Sequence, residues 1–227
     1  MIDARKNKTT YTTSPLPACS AVFHLSFFTD TIIDRAFSLC YKTDMYFKKL
    51  IGKKCYLSPI DVNDAPIYTA WLNDSEVNAN LTLASSVISL ETEKEFLQKI
   101  AAEHNYGIID AETDSLIGNA GLHKLNHLHR NAEIGIFIGD KKYWNKGYGT
   151  EALSLLIDYC FAVLNLHNIS LNVYSFNARA IRCYEKVGFK KVGELREAFI
   201  YGRKAHNIIL MDILPDDFYG ANRAVPK

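Results

Sequence analysis

The chain has little of what marks the more specialised classes of protein. Its 227 residues include five cysteines, six prolines and twelve glycines. Glycine and proline at that level exclude a fibrous or low-complexity chain. The cysteines, Cys19, Cys40, Cys55, Cys160 and Cys183, are odd in number, widely spaced and without a C-x-x-C. That argues against a disulfide framework and against a cysteine zinc site, and reads as free thiols in a reducing cytoplasm. Charge of one sign is missing as well: 26 Lys and Arg stand against 25 Asp and Glu, a formal net charge of +1. Such a chain has no overall field with which to gather a phosphate backbone, so no nucleic-acid partner is expected. No apolar run approaches the ~18 residues of a membrane-spanning helix, so no membrane partner is expected either. What is present is an ordinary globular balance, 48% hydrophobic and 22% charged, at a length that buries a full core.

The chain divides at about residue 50. Residues 1–50 begin polar and threonine-rich, then Pro15 and Pro17 interrupt. The apolar stretch Ala18 to Phe28 is broken by His24 and lacks a following A-x-A site, so it is not read as an export signal. Asp30 to Leu39 has the pattern of a short amphipathic helix, and Met45 stands just before a far more regular sequence. The expectation is an extension over 1–50, with Met45 a candidate natural start, one domain over 51–216, and a tail over 217–227.

From Ile51 onward the periodicity sharpens. Cys55 to Ile60 reads as a strand ending near Pro59. Asp61 to Leu72 reads as a helix with Asp61 or Asn63 as its cap. Ser89 opens a capping-box-like start for a helix through Ala102. Three strands follow in quick succession, Asn105 to Ile109, Leu116 to Leu125 and Ala132 to Ile138, and short connections make them antiparallel. A helix to about Leu164 has Ala152, Leu153, Leu156, Cys160 and Val163 on one face. Then come a strand at Ile169 to Tyr174, a helix at Asn177 to Val187 stopped by Gly188, and strands at Phe189 to Leu195 and Asn207 to Ile213. The strand–helix–strand crossover over 134–174 requires one right-handed parallel pair. The fold class is therefore α/β in the broad sense (α+β): a mixed, mostly antiparallel sheet with helices on its faces.

The strongest chemical signal is Lys146-Gly147-Tyr148-Gly149-Thr150, which follows a strand and opens a helix. The first amides of a helix are unpaired and lie at the positive end of its dipole, and glycine lets a ligand approach that backbone closely. This is a pyrophosphate site in the making. A lone G-x-G is weak by itself; it lacks the third glycine of a dinucleotide fingerprint and the G-K-[ST] of a P-loop.

Two neighbouring segments strengthen it. Asn177 to Phe189 matches N-x-x-[AS]-x-x-x-Y-x-[KR]-x-G-F in full, and Ala132 to Ile138 lies one strand before the turn. With Trp144-Asn145-Lys146-Gly147-Tyr148-Gly149, where Trp144 takes the place of Gln or Arg in [QR]-x-x-G-x-[GA], the chain over about 51–214 resembles the GNAT superfamily of N-acetyltransferases. The opening Leu57-Ser58-Pro59-Ile60 and Trp71-Leu72-Asn73-Asp74 are similar to its ribosomal-protein N-terminal acetyltransferase branch. Asn126 to Glu133 and Asp158 to Leu166 are similar to its spermidine acetyltransferases.

The resemblance implies a GNAT-like fold whose parallel pair splays apart to bind acetyl-CoA. It implies that Trp144, Asn145, Lys146, Gly147, Tyr148, Gly149 and Thr150 hold the pyrophosphate. Backbone groups of Ile136, Phe137 and Ile138 then pair with the pantetheine arm as an added strand would, and Asn177 anchors the arm from the other side. Tyr184 becomes the acid that protonates the departing CoA sulfur. Glu133, at the start of an apolar strand, is the candidate for taking the amine proton; its alternative is a solvent-facing strand-end carboxylate. His123, His127 and His129 have no acidic or cysteine partner in sequence and read as solvated loop residues rather than a metal site. The function expected is acetyl-CoA-dependent transfer to a primary amine, with a protein or peptide N-terminus ranked first, a small amine or antibiotic second, and a polyamine third. Ser75 to Ser89 holds a single acid, Glu76, which sets that order. A GNAT-like domain that binds CoA without catalysis is the alternative. A homodimer is common in the family.

Overall fold

Short elements at the start of the domain are set by local capping. A computed structural model of the chain describes residues 46–81 and 86–220. The expected helix at Asp30 to Leu39 and the candidate start at Met45 lie outside those residues. A two-residue strand β1 (Leu50–Ile51) pairs with β2 (Cys55–Pro59), which Pro59 closes because it has no amide to donate. Asp61 then caps a 3₁₀ turn, Val62–Asp64, by accepting from the Asn63 amide at 2.9 Å. The turn runs into α1 (Ala65–Leu72), with proline in its first turn, where a missing N–H is harmless. Tyr46 reaches back to donate its hydroxyl to Asp64 Oδ1 at 2.9 Å. Tyr46 and Leu50 are thus built into the same sheet-and-helix unit as the residues beyond the expected boundary.

Asp74 caps the one-turn α2 (Ser75–Asn78). Ser89 caps α3 (Leu90–Ile100) by accepting from the Thr92 amide at 3.1 Å, as its sequence position predicts. Glu93, Leu97 and Ile100 recur at helical spacing and form the buried stripe of α3.

The strands β3 (Asn105–Asp110), β4 (Leu116–Asn126) and β5 (Asn131–Ile138) form the expected antiparallel meander. Then α4 (Tyr148–Ala162) crosses over to β6 (Asn168–Tyr174), and α5 (Ala178–Val187) ends at Gly188, whose φ of 116° is the left-handed conformation that suits glycine. The hairpin of β7 (Lys190–Tyr201) and β8 (Lys204–Ile213) and a final turn of helix, α6 (Pro215–Tyr219), complete the described fold. The hairpin is longer than the sequence suggests. Arg196-Glu197 interrupts the apolar pattern, but the chain absorbs it as a bulge. Glu197 sits at φ 52° and its amide donates to Asn207 Oδ1 at 2.8 Å, so pairing resumes at Phe199.

The eight strands run β1-β2-β3-β4-β5-β6-β8-β7 across one sheet. Alternate side chains point to opposite faces. Leu57, Ile108 and Ile117 pack with Leu153, Leu156 and Ile157 of α4, while Tyr56, Ile109 and Leu116 pack with Tyr68 of α1 and Leu97 of α3. Each such aliphatic side chain stabilises the fold by about 1.5–3 kcal/mol on burial. Helices α4 and α5 thus cover one face, and α1 and α3 the other. Among the described strands only β5 and β6 are parallel, and they pair over three rungs, Asn131–Asn168, Ala132–Ile169 and Glu133–Ser170. Beyond Glu133, β5 stays with β4 and β6 stays with β8, so the sheet opens.

Candidate active site

That opening is the mouth of a cavity of about 1060 Å³. It passes through the sheet. Phe96 and Leu97 of α3 line it on one side, and Cys183 and Tyr184 of α5 on the other, with Ile136, Phe137 and Ile138 of β5 between them. Every residue expected in the site lies on its wall except Lys146 and Tyr148.

The glycine turn is held in place from two directions. Asp140 caps a 3₁₀ turn at Lys141–Tyr143, and Asn145 at φ 60° and Gly147 at φ 89° bend the chain into α4. Gly147 stands at the N-cap and supplies no side chain, so no capping group fills the space before the first amides of α4. Gly149 has room around it: an added β-carbon would meet Cys183 Sγ and Ile138 Cγ1 at 3.8 Å each, ordinary contact distances. Lys54, at the tip of the β1–β2 hairpin, donates its Nζ to the Lys146 carbonyl at 2.8 Å. Asp110, at the end of β3, accepts from Tyr143 at 3.2 Å, from Tyr148 at 3.1 Å and from Thr113 at 2.6 Å. Burial works against the Asp110 carboxylate, but those hydroxyl donors outweigh it and hold the carboxyl below its ordinary range. The Tyr148 hydroxyl is pushed up to about 12, by its loss of solvent first and by Asp110 next. The Tyr148 side chain is therefore turned to Asp110 and not into the cavity, and Lys146 is tied to the turn through its carbonyl.

Trp144 donates its indole Nε1 to the Ile138 carbonyl at 2.8 Å. That carbonyl, expected to serve a pantetheine arm, already accepts a bond from within the protein. The guanidinium of Arg179 lies 3.7 Å from the centre of the Trp144 ring, a cation–π contact across the cavity wall that no spacing in the sequence foretells. Thr150 Oγ1 lies 3.3 Å from Cys183 Sγ, joining α4 to α5. Asn177 caps α5 through Oδ1, which accepts from the Ala180 amide at 3.1 Å; its Nδ2 makes no hydrogen bond among the described residues.

Tyr184 is buried, its ring edge-on to Phe189. Its hydroxyl has no hydrogen-bond partner among the described residues. Burial, then the neighbouring Cys183, push its pKa far above that of a free phenol, so the proton stays on the oxygen through the neutral range. Glu133 sits at the last rung before the opening. Its carboxylate accepts from Lys124 Nζ at 2.8 Å, in a pair whose lysine is 75% exposed. His123 is the cross-strand partner of Glu133 and lines the cavity, and among the described residues no three metal-ligating side chains converge.

Three polar groups of the cavity wall escaped the sequence reading. Glu93 of α3 is 4% exposed and makes no hydrogen bond or ion pair through its side chain among the described residues. Tyr68 Oη and Asn119 Nδ2 are fully buried and unpartnered. The amide of Asn119 lies near the Tyr68 hydroxyl, yet the two do not meet hydrogen-bond geometry. Ser-Leu-Glu-Thr-Glu reads as a solvated first turn, and only packing between α3 and α1 reveals that its second glutamate is enclosed.

Comparison with known proteins accords with this geometry. The sequence profile of the acetyltransferase (GNAT) domain matches residues 54–190. An N-acetyltransferase, p20, of Bacillus licheniformis, whose function is uncharacterised, is 27% identical over 75% of this chain and 98% of its own length. The probable N-acetyltransferase YjcK of Bacillus subtilis is 31% identical over 74% of this chain and 98% of its own. Spermidine N(1)-acetyltransferase of Escherichia coli K12 is 38% identical, over 47% of this chain and 56% of its own. Among solved structures, spermidine N-acetyltransferase of Vibrio cholerae in complex with CoA and spermine superimposes with a TM-score of 0.67 at 27% identity, covering 74% of this chain and 99% of that one. The splayed parallel pair, the glycine turn at the head of α4 and the match over 54–190 place the chain in the GNAT family of N-acetyltransferases.

Proposed function

We propose that this chain moves the acetyl group of acetyl-CoA directly to a primary amine, with Tyr184 as the general acid. The observation that carries the reading is one of placement. The turn without a side-chain cap at α4 and the unpartnered hydroxyl of Tyr184 border the same cavity, at the point where β5 and β6 part. The pyrophosphate sits against the amides of the turn, and the pantetheine arm runs along Ile136 and Phe137 toward Tyr184. The amine nitrogen attacks the acetyl carbonyl carbon, a C–N bond forms and the C–S bond breaks. The sulfur leaves with the electron pair and takes the Tyr184 proton, while the amine gives up its own proton to Glu133, directly or through water. Solvent returns a proton to Tyr184.

A protein or peptide N-terminus, a small amine and a polyamine all have the required nucleophile, and relatives named as spermidine acetyltransferases support an amine acceptor. Calorimetric titration with acetyl-CoA, followed by thiol release over a panel of those three amine types, tests the reading. Binding with thiol release on at least one amine is expected. Binding with no release on any of them would leave a CoA-binding domain without catalysis.

A further inference from the structure

Lys54 lies outside the phosphate motif, 92 residues before Lys146, yet it touches the glycine turn. Its side chain starts from a fixed base. The Lys54 amide donates to Glu151 Oε1 of α4 at 2.7 Å, and the Lys54 carbonyl accepts from the Ala111 amide, in the β3–β4 turn, at 2.9 Å. The hairpin tip comes so close to α4 that a β-carbon on Gly52 would fall 2.3 Å from Glu151 Oε1. From this base Nζ donates to the Lys146 carbonyl at 2.8 Å and stands 3.5 Å from the position that a β-carbon on Gly147 would take. Among the described residues no carboxylate pairs with this ammonium.

The second observation is the direction of the peptide between Lys146 and Gly147. Across a trans peptide the carbonyl oxygen and the next amide hydrogen point in opposite directions, and no cis peptide occurs among the described residues. With the Lys146 oxygen turned to Lys54, the Gly147 N–H points the other way. It donates to nothing among the described residues. Gly147 lines the cavity and Lys54 does not, so the ammonium stands behind the turn and the free N–H faces the opposite side. Gly147, at φ 89° and ψ −1°, is left-handed and leads into the right-handed start of α4. That succession gathers consecutive amides into a concavity suited to an anion. Turning the peptide over would put the Lys146 oxygen in place of the N–H, an acceptor facing a phosphate. Glycine resists such a turn weakly, because both signs of φ are open to it.

Resting on the reading that the pyrophosphate lies at this turn, we infer that Lys54 is a positioning residue for acetyl-CoA. Its ammonium draws the Lys146 carbonyl out of the anion site and keeps the Gly147 N–H aimed into it. Lys54 acts through the peptide and does not touch the phosphates.

The test compares acetyl-CoA with S-acetyl-pantetheine, which keeps the thioester arm and lacks the phosphates. Each is titrated calorimetrically into the full chain, as wild type, Lys54→Met and Lys54→Arg. Lys54 is exposed, so methionine disturbs no core packing, and thermal denaturation checks the fold of each variant. A hydrogen bond to a charged group corresponds to roughly tenfold or more in affinity. Lys54→Met is expected to bind acetyl-CoA at least about tenfold more weakly and acetyl-pantetheine within about twofold of the wild type. Arginine still donates to a carbonyl, so Lys54→Arg is expected to restore acetyl-CoA binding to within about threefold. A loss that falls equally on both ligands, or one that arginine does not restore, overturns the positioning role. Two further outcomes separate it from the reading on which it rests. A wild type that binds acetyl-CoA no tighter than acetyl-pantetheine removes the phosphate placement, and the role of Lys54 with it. A clear preference for acetyl-CoA that Lys54→Met leaves intact removes Lys54 alone.

Discussion

Gly149→Ala and Gly149→Asp together separate the fold of the glycine turn from its ligand, because only the second is expected to disturb the phosphates. Gly149 lies in the first turn of α4, and its backbone is not in the left-handed region. The added methyl would meet Cys183 and Ile138 at 3.8 Å, so nothing in the protein needs to move. Alanine in a helix is favoured over glycine by about 0.5–1 kcal/mol, with the smaller figure appropriate to a first turn. For a domain of this size that raises Tm by about 1–2 °C. Alanine is one of the two residues that the motif admits at this position, so acetyl-CoA binding should survive Gly149→Ala, whereas Gly149→Asp sets a carboxylate beside the amides of the turn, where it competes with the phosphates and repels them. An amide–phosphate hydrogen bond is worth about 1.5–3 kcal/mol, so losing one in Gly149→Asp weakens acetyl-CoA binding roughly 10- to 150-fold. Thermal denaturation of the ligand-free proteins and calorimetric titration with acetyl-CoA read the two effects. A folded Gly149→Asp variant that binds acetyl-CoA as tightly as the wild type would refute the placement of the phosphates.

Three further outcomes follow from the described geometry. Asp110→Asn removes the charge that Tyr143, Tyr148 and Thr113 share, and is expected to destabilise the protein by about 1–3 kcal/mol and weaken acetyl-CoA binding. Because the folded Asp110 carboxyl is held below its ordinary range, its contribution is complete above that range and fades as pH falls through the folded value, so denaturation midpoints of variant and wild type should converge in acid. Glu93 behaves in the opposite sense: burial raises its folded pKa, so the ionised group disfavours folding once pH rises through that value. Glu93→Gln should therefore raise the Tm of the ligand-free protein at pH 7, with the gain vanishing below the ordinary carboxylate range. Ser89→Ala removes the acceptor of the Thr92 amide and should lower stability by about 1 kcal/mol in chemical denaturation.

Much of this architecture is written in local pattern. Ser89, Gly188 and the glycine turn are punctuation with a stereochemical reason, and all three stand where spacing predicts. The parallel β5–β6 pair follows from the crossover through α4. What escaped depends on packing between distant segments. Glu93 lies in a run of charged residues and is buried only because α3 lies on α1. Asp110 reads as the start of a turn, whereas its role as anchor requires Tyr143 and Tyr148, 33 and 38 residues later. The Arg179–Trp144 contact joins two motifs whose separation in sequence carries no hint of stacking. β7 runs past Arg196-Glu197 because β8 supplies Asn207 to hold the bulge.

The central claim is direct acetyl transfer with Tyr184 as proton donor, and the rate of the Tyr184→Phe variant on an amine the wild type acetylates tests it most directly. The substitution removes one hydroxyl and keeps the ring that packs on Phe189, so acetyl-CoA affinity should change little. With thiol release and acetylated amine measured together, kcat and kcat/KM are predicted to fall in parallel by about 10²–10⁴-fold. Wild-type turnover by the variant, with chemistry shown to be rate-limiting, would contradict the account.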